Sequence, residues 1–266
     1  MSPRRTNACS DDIDVERLPG GIAVLEICRP PNNFFDARLI ECIVGALTEL
    51  QESGDVRAVV LGAQGKHFCA GADFIGSSGA EEVSADEGAR MLYLAAARLF
   101  EVALPMVAAV QGAAIGGGLG LALSADFRVA SAESKFAASF ARLGLHHGFG
   151  MTVTLPRVVG EQRAADLLLT GRRVGGVEAH RFGLVDRLVG GDEIRSVAIT
   201  FAREIATAAP MAVQSIRRTL RSGLAAEVAR ATEHERAEQA RLRATDDFAE
   251  GVRASAERRQ PVFSGR

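Results

Sequence analysis

Short runs of branched and small apolar residues alternate with helix-spaced segments along the chain, and this alternation constrains the fold more than any other feature. GIAVLEICR (21–29), VRAVVLGA (56–63), MVAAVQGAA (106–114) and FRVAS (127–131) read as buried strands. Between them, ARLIECIVGALTELQES and ARMLYLAAARLFEVA carry apolar residues at helical spacing, and IGGGLGLALSAD reads as a glycine-led helix. Strands separated by helices pair in parallel, with the helices packed outside the sheet, so the fold class expected is α/β. AADLLLTG, VEAHRFGLVDRLV and EIRSVAITFAREIATA continue the pattern, and GSSGAEEVSADEG (76–88) reads as a mobile surface loop. The α/β body is expected over residues 1–209, with 1–15 a flexible tail. From Pro210 to 266 the texture becomes Arg/Glu/Ala-rich helix, a candidate oligomerisation module. Its apolar stripe (Met211, Val213, Ile216, Leu220, Leu224, Val228) is expected to be buried against the body and neighbouring subunits.

A length of 266 residues is enough for a sizeable core, and 47% hydrophobic with 24% charged residues is ordinary for a globular protein. A net charge of −2 offers no field for nucleic acid or an anionic membrane. No apolar run is long enough to span a bilayer, and the N-terminal residues lack the apolar core of a signal peptide, so a cytoplasmic protein is expected. Cys9, Cys28, Cys42 and Cys69 are scattered, which argues against a disulfide frame or a metal site. Cys69, beside a glycine turn, reads as buried filler before it reads as a reactive thiol.

HFCAGADF (67–74) and IGGGLG (115–120) each place small residues directly after a strand. GGGLG only approximates the dinucleotide fingerprint and lacks the acidic residue at the expected distance. What both turns offer is bare backbone N–H, at a helix start in the second case. If the N–H groups of Ala72 and Gly117 converge, they form a two-donor cup for a carbonyl oxygen that becomes an oxyanion.

Taken in order, RPPNN, VRAVVLGAQGKHFCAGADF, PMVAAVQGAAIGGGLGLALSADFRVAS, KFAASFARLGLHHGFG with LPRVVG, LTGRRVGGVEAHRFGLVDRLV and DDFAEGVRASAERRQPVFSGR resemble the enoyl-CoA hydratase/isomerase (crotonase) superfamily. The resemblance covers nearly the whole chain. It implies a ββα superhelical spiral with a C-terminal helical trimerisation module, assembled as a trimer or dimer of trimers. It implies an acyl-CoA substrate, with coenzyme A part of that substrate and no separate cofactor. Ala72 and Gly117 match the oxyanion hole, with Gly116 beside it. Pro31, Asn32, Ala70, Asp73 and Phe74 match the pantetheine and adenine path, and Arg258, Arg259 and Phe263 match a region that reaches a neighbouring subunit's nucleotide.

The departures from that pattern concern the chemistry. The two glutamates that activate water in typical hydratases fall here at Gly120 and Phe140, and the nucleophilic Asp of the dehalogenases falls at Gly148. None of the three can transfer a proton. His146 and His147 replace an apolar residue and a proline on the loop beyond Phe140, and His147, with His146 next, is the candidate base. His67, His180 and His234 read as non-catalytic, and Arg142 as a surface salt-bridging residue. The leading expectation is an enzyme that stabilises a thioester enolate. A CoA-thioester binding protein with little catalysis and a histidine-dependent hydrolase of the same fold are the alternatives.

Overall fold

The computed structural model describes residue 9, residues 11–72 and residues 85–266. A six-stranded sheet, in the order β1-β2-β3-β4-β6-β9, carries a smaller three-stranded sheet, β5-β7-β8. The large sheet comprises β1 (Ile13–Leu18), β2 (Ile22–Ile27), β3 (Ala58–Ala63), β4 (Met106–Val110), β6 (Phe127–Ser131) and β9 (Arg187–Val189). The small one comprises β5 (Ala113–Ile115), β7 (Lys135–Ala137) and β8 (Val174–Gly175). β1 and β2 form an antiparallel hairpin, Ile13 opposite Ile27, while β2, β3, β4, β6 and β9 run parallel.

Alternation along each strand divides the core in two. On β2, Ala23, Leu25 and Ile27 join the larger core, whereas Ile22 and Val24 join a second one built on α7 (Ile194–Ala206). A strand buried on both faces needs no polar alternation, which is why β2, β3 and β4 read as continuous apolar runs. On the first face lie α1 (Ala37–Glu52), capped by the Asp36 carboxylate on the Leu39 N–H at 2.8 Å, and α2 (Ala85–Arg98). α3 (Gly117–Ser124) is buried along its whole length.

The structure revises several expectations. Cys9 and Cys42 form a disulfide with Cα atoms 5.7 Å apart, although residues 33 apart in sequence give no spacing signal. Residues 13–15, expected in a flexible tail, belong to β1, which pairs along an edge where only one face needs to be apolar. The run 106–114 is not one strand. Gly112, at φ +59°, turns the chain from β4 into β5 of the other sheet, where a Cβ would overlap the Lys66 carbonyl. Most of the loop expected over 76–88 lies outside the described residues, and its last residues already belong to α2.

The C-terminal helices α8 (Pro210–Leu220), α9 (Leu224–Arg243) and α10 (Asp246–Ala256) start at Pro210. They dock on the body through ions as well as apolar contacts. Arg217 and Arg221 both meet the Asp126 carboxylate at 2.8 Å, and Arg217 donates to the Val102 carbonyl. The apolar stripe divides: Leu224 and Val228 are buried against the body, whereas Met211, Ile216 and Leu220 are exposed in the single chain.

Candidate active site

The glycine turns meet through backbone register. Cys69 pairs in parallel with Ala114, its N–H donating to Ala113 O at 2.9 Å and its carbonyl accepting from Ile115 N at 3.0 Å. Three residues beyond Cys69 and Ala114 in the chain stand Ala72 and Gly117, the latter opening α3. A Cβ on Gly118 would overlap the Cys69 carbonyl, so glycine there lets α3 start directly against the turn. Gly71 reaches φ +102°, and its carbonyl accepts from Phe35 N at 3.1 Å. Because the carbonyl and N–H of one trans peptide point in opposite directions, the Ala72 N–H faces away from Phe35. Gly116, at φ +58°, caps α3, and the N–H of Gly117 in its first turn has no acceptor within the helix. An N–H at the positive end of a buried helix dipole, such as that of Gly117, can polarise a carbonyl oxygen.

Asn33, which the sequence reading did not single out, ties the RPPNN loop to this turn. It is fully buried, and its side-chain NH₂ donates to the carbonyls of Gln64 (2.8 Å) and His67 (2.6 Å) while its Oδ1 accepts from Arg29 N (2.9 Å). Next to it, Asn32 O accepts from Ala70 N at 2.9 Å. Pro31 and Asn32 line a cleft of about 410 Å³ with Arg29, Pro30, Phe34, Phe35 and Asp36, and the Phe35 ring also abuts Gly117. Asp73 and Phe74 lie outside the described residues.

Aromatic side chains crowd Gly120 and Gly116. A Cβ on Gly120 would lie 2.5 Å from the Phe149 Cβ, and one on Gly116 would lie 3.6 Å from the Phe140 Cζ. Phe35 and Phe149 meet edge-on at 5.5 Å. At Gly148 a Cβ would overlap the Tyr93 hydroxyl, so that position is closed to any side chain. Cys69 is fully buried and burial pushes its thiol up to about 12, which fits filler and not a reactive thiol.

Two polar chains, anchored on α9, hold the loop that follows Phe140. In one, the Tyr93 hydroxyl donates to Gln239 Oε1 (2.8 Å), and Gln239 Nε2 donates to the His146 carbonyl (2.9 Å). Burial, and then the Glu235 charge, raises the Tyr93 phenol above its usual range. In the other, the fully buried Glu235 accepts from Gly150 N (2.8 Å), Thr152 N (3.0 Å) and Thr152 Oγ1 (2.7 Å). Thr152 has one hydroxyl proton and gives it to Glu235, so its 2.8 Å contact with His147 Nε2 requires that Nε2 donate. That tautomer leaves the His147 Nδ1 lone pair available. The same logic puts a proton on His146 Nδ1, which faces the His147 carbonyl at 2.8 Å.

The contacts of His147 are with Thr152 and Glu235, and those of His146 are with the His147 and His234 rings, at 4.1 and 5.9 Å. The histidines thus share a loop with Phe149 but not its face toward α3. Burial first, then His146 and His234, pulls His147 down to about 4, so it is neutral at pH 7 and its 3.9 Å approach to Glu235 is no ion pair there. An unfolded histidine titrates near 6.5, so below that pH the unfolded chain binds a proton that the folded chain refuses. Stability is expected to fall between pH 6.5 and about 4, by about 3 kcal/mol from this residue. Denaturation of the parent and His147→Gln across that range checks it, since equal losses would contradict the assignment. Elsewhere, His180 Nδ1 meets the Val185 carbonyl at 2.9 Å, Arg142 donates to the Thr170 carbonyl, and Arg259 pairs with Glu250 and Glu257.

A parallel sheet carrying a buried glycine-led helix beside a second glycine turn is the architecture of the crotonase class. A model of the enoyl-CoA hydratase/isomerase family matches residues 17–266, and the chain belongs to that family. It is 33% identical over 250 residues to a probable enoyl-CoA hydratase of Mycobacterium tuberculosis, covering 92% of this chain and 95% of that protein. It is 32% identical over 251 residues to a carnitinyl-CoA dehydratase of Salmonella arizonae, covering 92% and 96%. The crystal structure of an enoyl-CoA hydratase/isomerase from Pseudoalteromonas atlantica superposes with a TM-score of 0.84 at 31% identity, over 95% of this chain and all of that one. The protein is an enzyme of this family. Among the described residues no helix is long and apolar enough to cross a membrane.

Proposed function

We propose that the enzyme binds an acyl-CoA thioester with its carbonyl oxygen between the N–H groups of Ala72 and Gly117 and stabilises the enolate that forms there. The observation that carries this reading is the Cys69–Ala114 register, which brings the two turns side by side. The relatives' names, all of CoA-thioester enzymes, support the substrate class. CoA would enter along the cleft at Pro31 and Asn32, past Ala70. Asp73 and Phe74 extend that path by resemblance alone. Exposed Met211, Ile216 and Leu220 on α8 support assembly of copies into a trimer or dimer of trimers.

Proton transfer in this reading falls to His147, with His146 beside it. His147 is neutral at pH 7, its Nε2–H is committed to Thr152, and its Nδ1 is free to accept a proton. Reaching the substrate's carbon would require the ring to turn from its present contacts. The two-carboxylate hydration route is not expected, because Gly120 and Phe140 supply no carboxylate and Phe149 crowds Gly120. Crotonyl-CoA, followed by loss of its conjugated thioester absorbance, tests this directly. Without the carboxylates, hydration is expected to run roughly 10²–10⁴-fold below a two-glutamate enzyme. Turnover at the two-glutamate rate would contradict the reading.

A further inference from the structure

We propose that Phe149 sets the size of the acyl group, restricting the site to short, unbranched acyl thioesters in the range from acetyl to butyryl. The inference rests on the donor pair proposed above and concerns the space next to it. Phe149 is 1% exposed, and its Cδ2 would lie 3.5 Å from a Cβ on Gly117, while its own Cβ crowds Gly120. With Phe35 packed edge-on against it and Phe140 beside Gly116, the volume along the first turn of α3 is aromatic. The carbons that follow a thioester carbonyl held at Gly117 must share that volume.

The ring cannot easily swing away. Phe149 holds φ at +63°, a conformation that bulky residues rarely adopt and that persists only where the surroundings enforce it. Those surroundings are present. Gly150 N is bonded to Glu235, the His146 carbonyl is bonded to Gln239, and a Cβ on Gly150 would lie 2.7 Å from Val228 Cγ1. The loop backbone is pinned on both sides of Phe149, and the buried ring is held by its packing against Phe35 and the first turn of α3.

Saturated thioesters test this without turnover. Acetyl-, butyryl-, hexanoyl- and octanoyl-CoA, with free CoA as reference, are titrated calorimetrically into the parent, Phe149→Leu and Phe149→Ala. The parent is expected to lose affinity beyond butyryl. Phe149→Ala is expected to bind hexanoyl-CoA roughly tenfold better relative to butyryl-CoA than the parent does, the gain from about two newly buried methylene groups. Phe149→Leu keeps the core filled and is expected to shift the same way by less, so it decides the matter if the alanine variant does not fold. An unchanged acyl-length profile in the folded variants overturns the proposal while leaving the donor pair standing. A parent that binds every thioester no better than free CoA overturns both.

Discussion

Gly117→Val is expected to lower kcat/KM on a CoA thioester by roughly 10²–10³-fold, the usual consequence of losing one oxyanion donor. The cause is steric and local. A Cβ at this position would overlap the Phe35 ring and lie 3.5 Å from the Phe149 Cδ2, so the first turn of α3 must move. A shift of this kind misdirects an N–H whose value depends on being aimed in advance. Gly45→Ala is the matched control. Its Cβ meets nothing within 4 Å, it lies within α1, and it is expected to add about 0.5–1 kcal/mol of stability with activity unchanged. Steady-state kinetics and thermal unfolding of both variants give the answer, and parental turnover by a folded Gly117→Val would remove Gly117 from the mechanism.

Glu235→Ala is expected to destabilise the fold by about 3 kcal/mol or more. The carboxylate is fully buried and accepts from Gly150 N, Thr152 N and Thr152 Oγ1, two of them backbone donors at the start of α4 (Met151–Val159). An alanine leaves the two backbone N–H groups in a cavity with no acceptor, and the Thr152 hydroxyl with only the His147 ring to turn to. Gln239→Ala removes only the links to Tyr93 and the His146 carbonyl and is expected to lose less. Urea unfolding of the two variants ranks them, and a loss within about 0.5 kcal/mol for Glu235→Ala, the range of an ordinary surface substitution, would contradict the role assigned to α9.

The parts of the fold legible in the sequence are those decided locally. β2, β3, β4 and β6 are short runs buried on both faces, and α1 shows its apolar period directly. β1 was not legible because IDVERL is half polar and lies at the edge of the sheet. The Cys9–Cys42 bond joins residues that only the folded chain brings together. At the site, the glycine turns stand out because small residues after a strand are unusual, whereas Phe149 is placed by a backbone conformation, φ +63°, and Asn33 acts through side-chain bonds to carbonyls distant in sequence, neither of which leaves a periodic trace. Glu235 and Gln239 sit in an Arg/Glu/Ala text that reads as a solvated helix. A signal was present nonetheless. Leu224, Val228, Thr232, Glu235 and Gln239 follow one another at steps of three and four, so the polar pair continues the buried face begun by Leu224 and Val228.

The proposed chemistry depends on where a thioester oxygen sits. A crystal structure of the protein with butyryl-CoA, which has no double bond to hydrate, places that atom directly. The expected result is an oxygen 2.7–3.1 Å, within about 0.2 Å, from both the Ala72 and the Gly117 nitrogens, with the acyl carbons against the Phe149 ring. A thioester oxygen bonded to neither nitrogen, with the acyl group lying outside the turns, would contradict it.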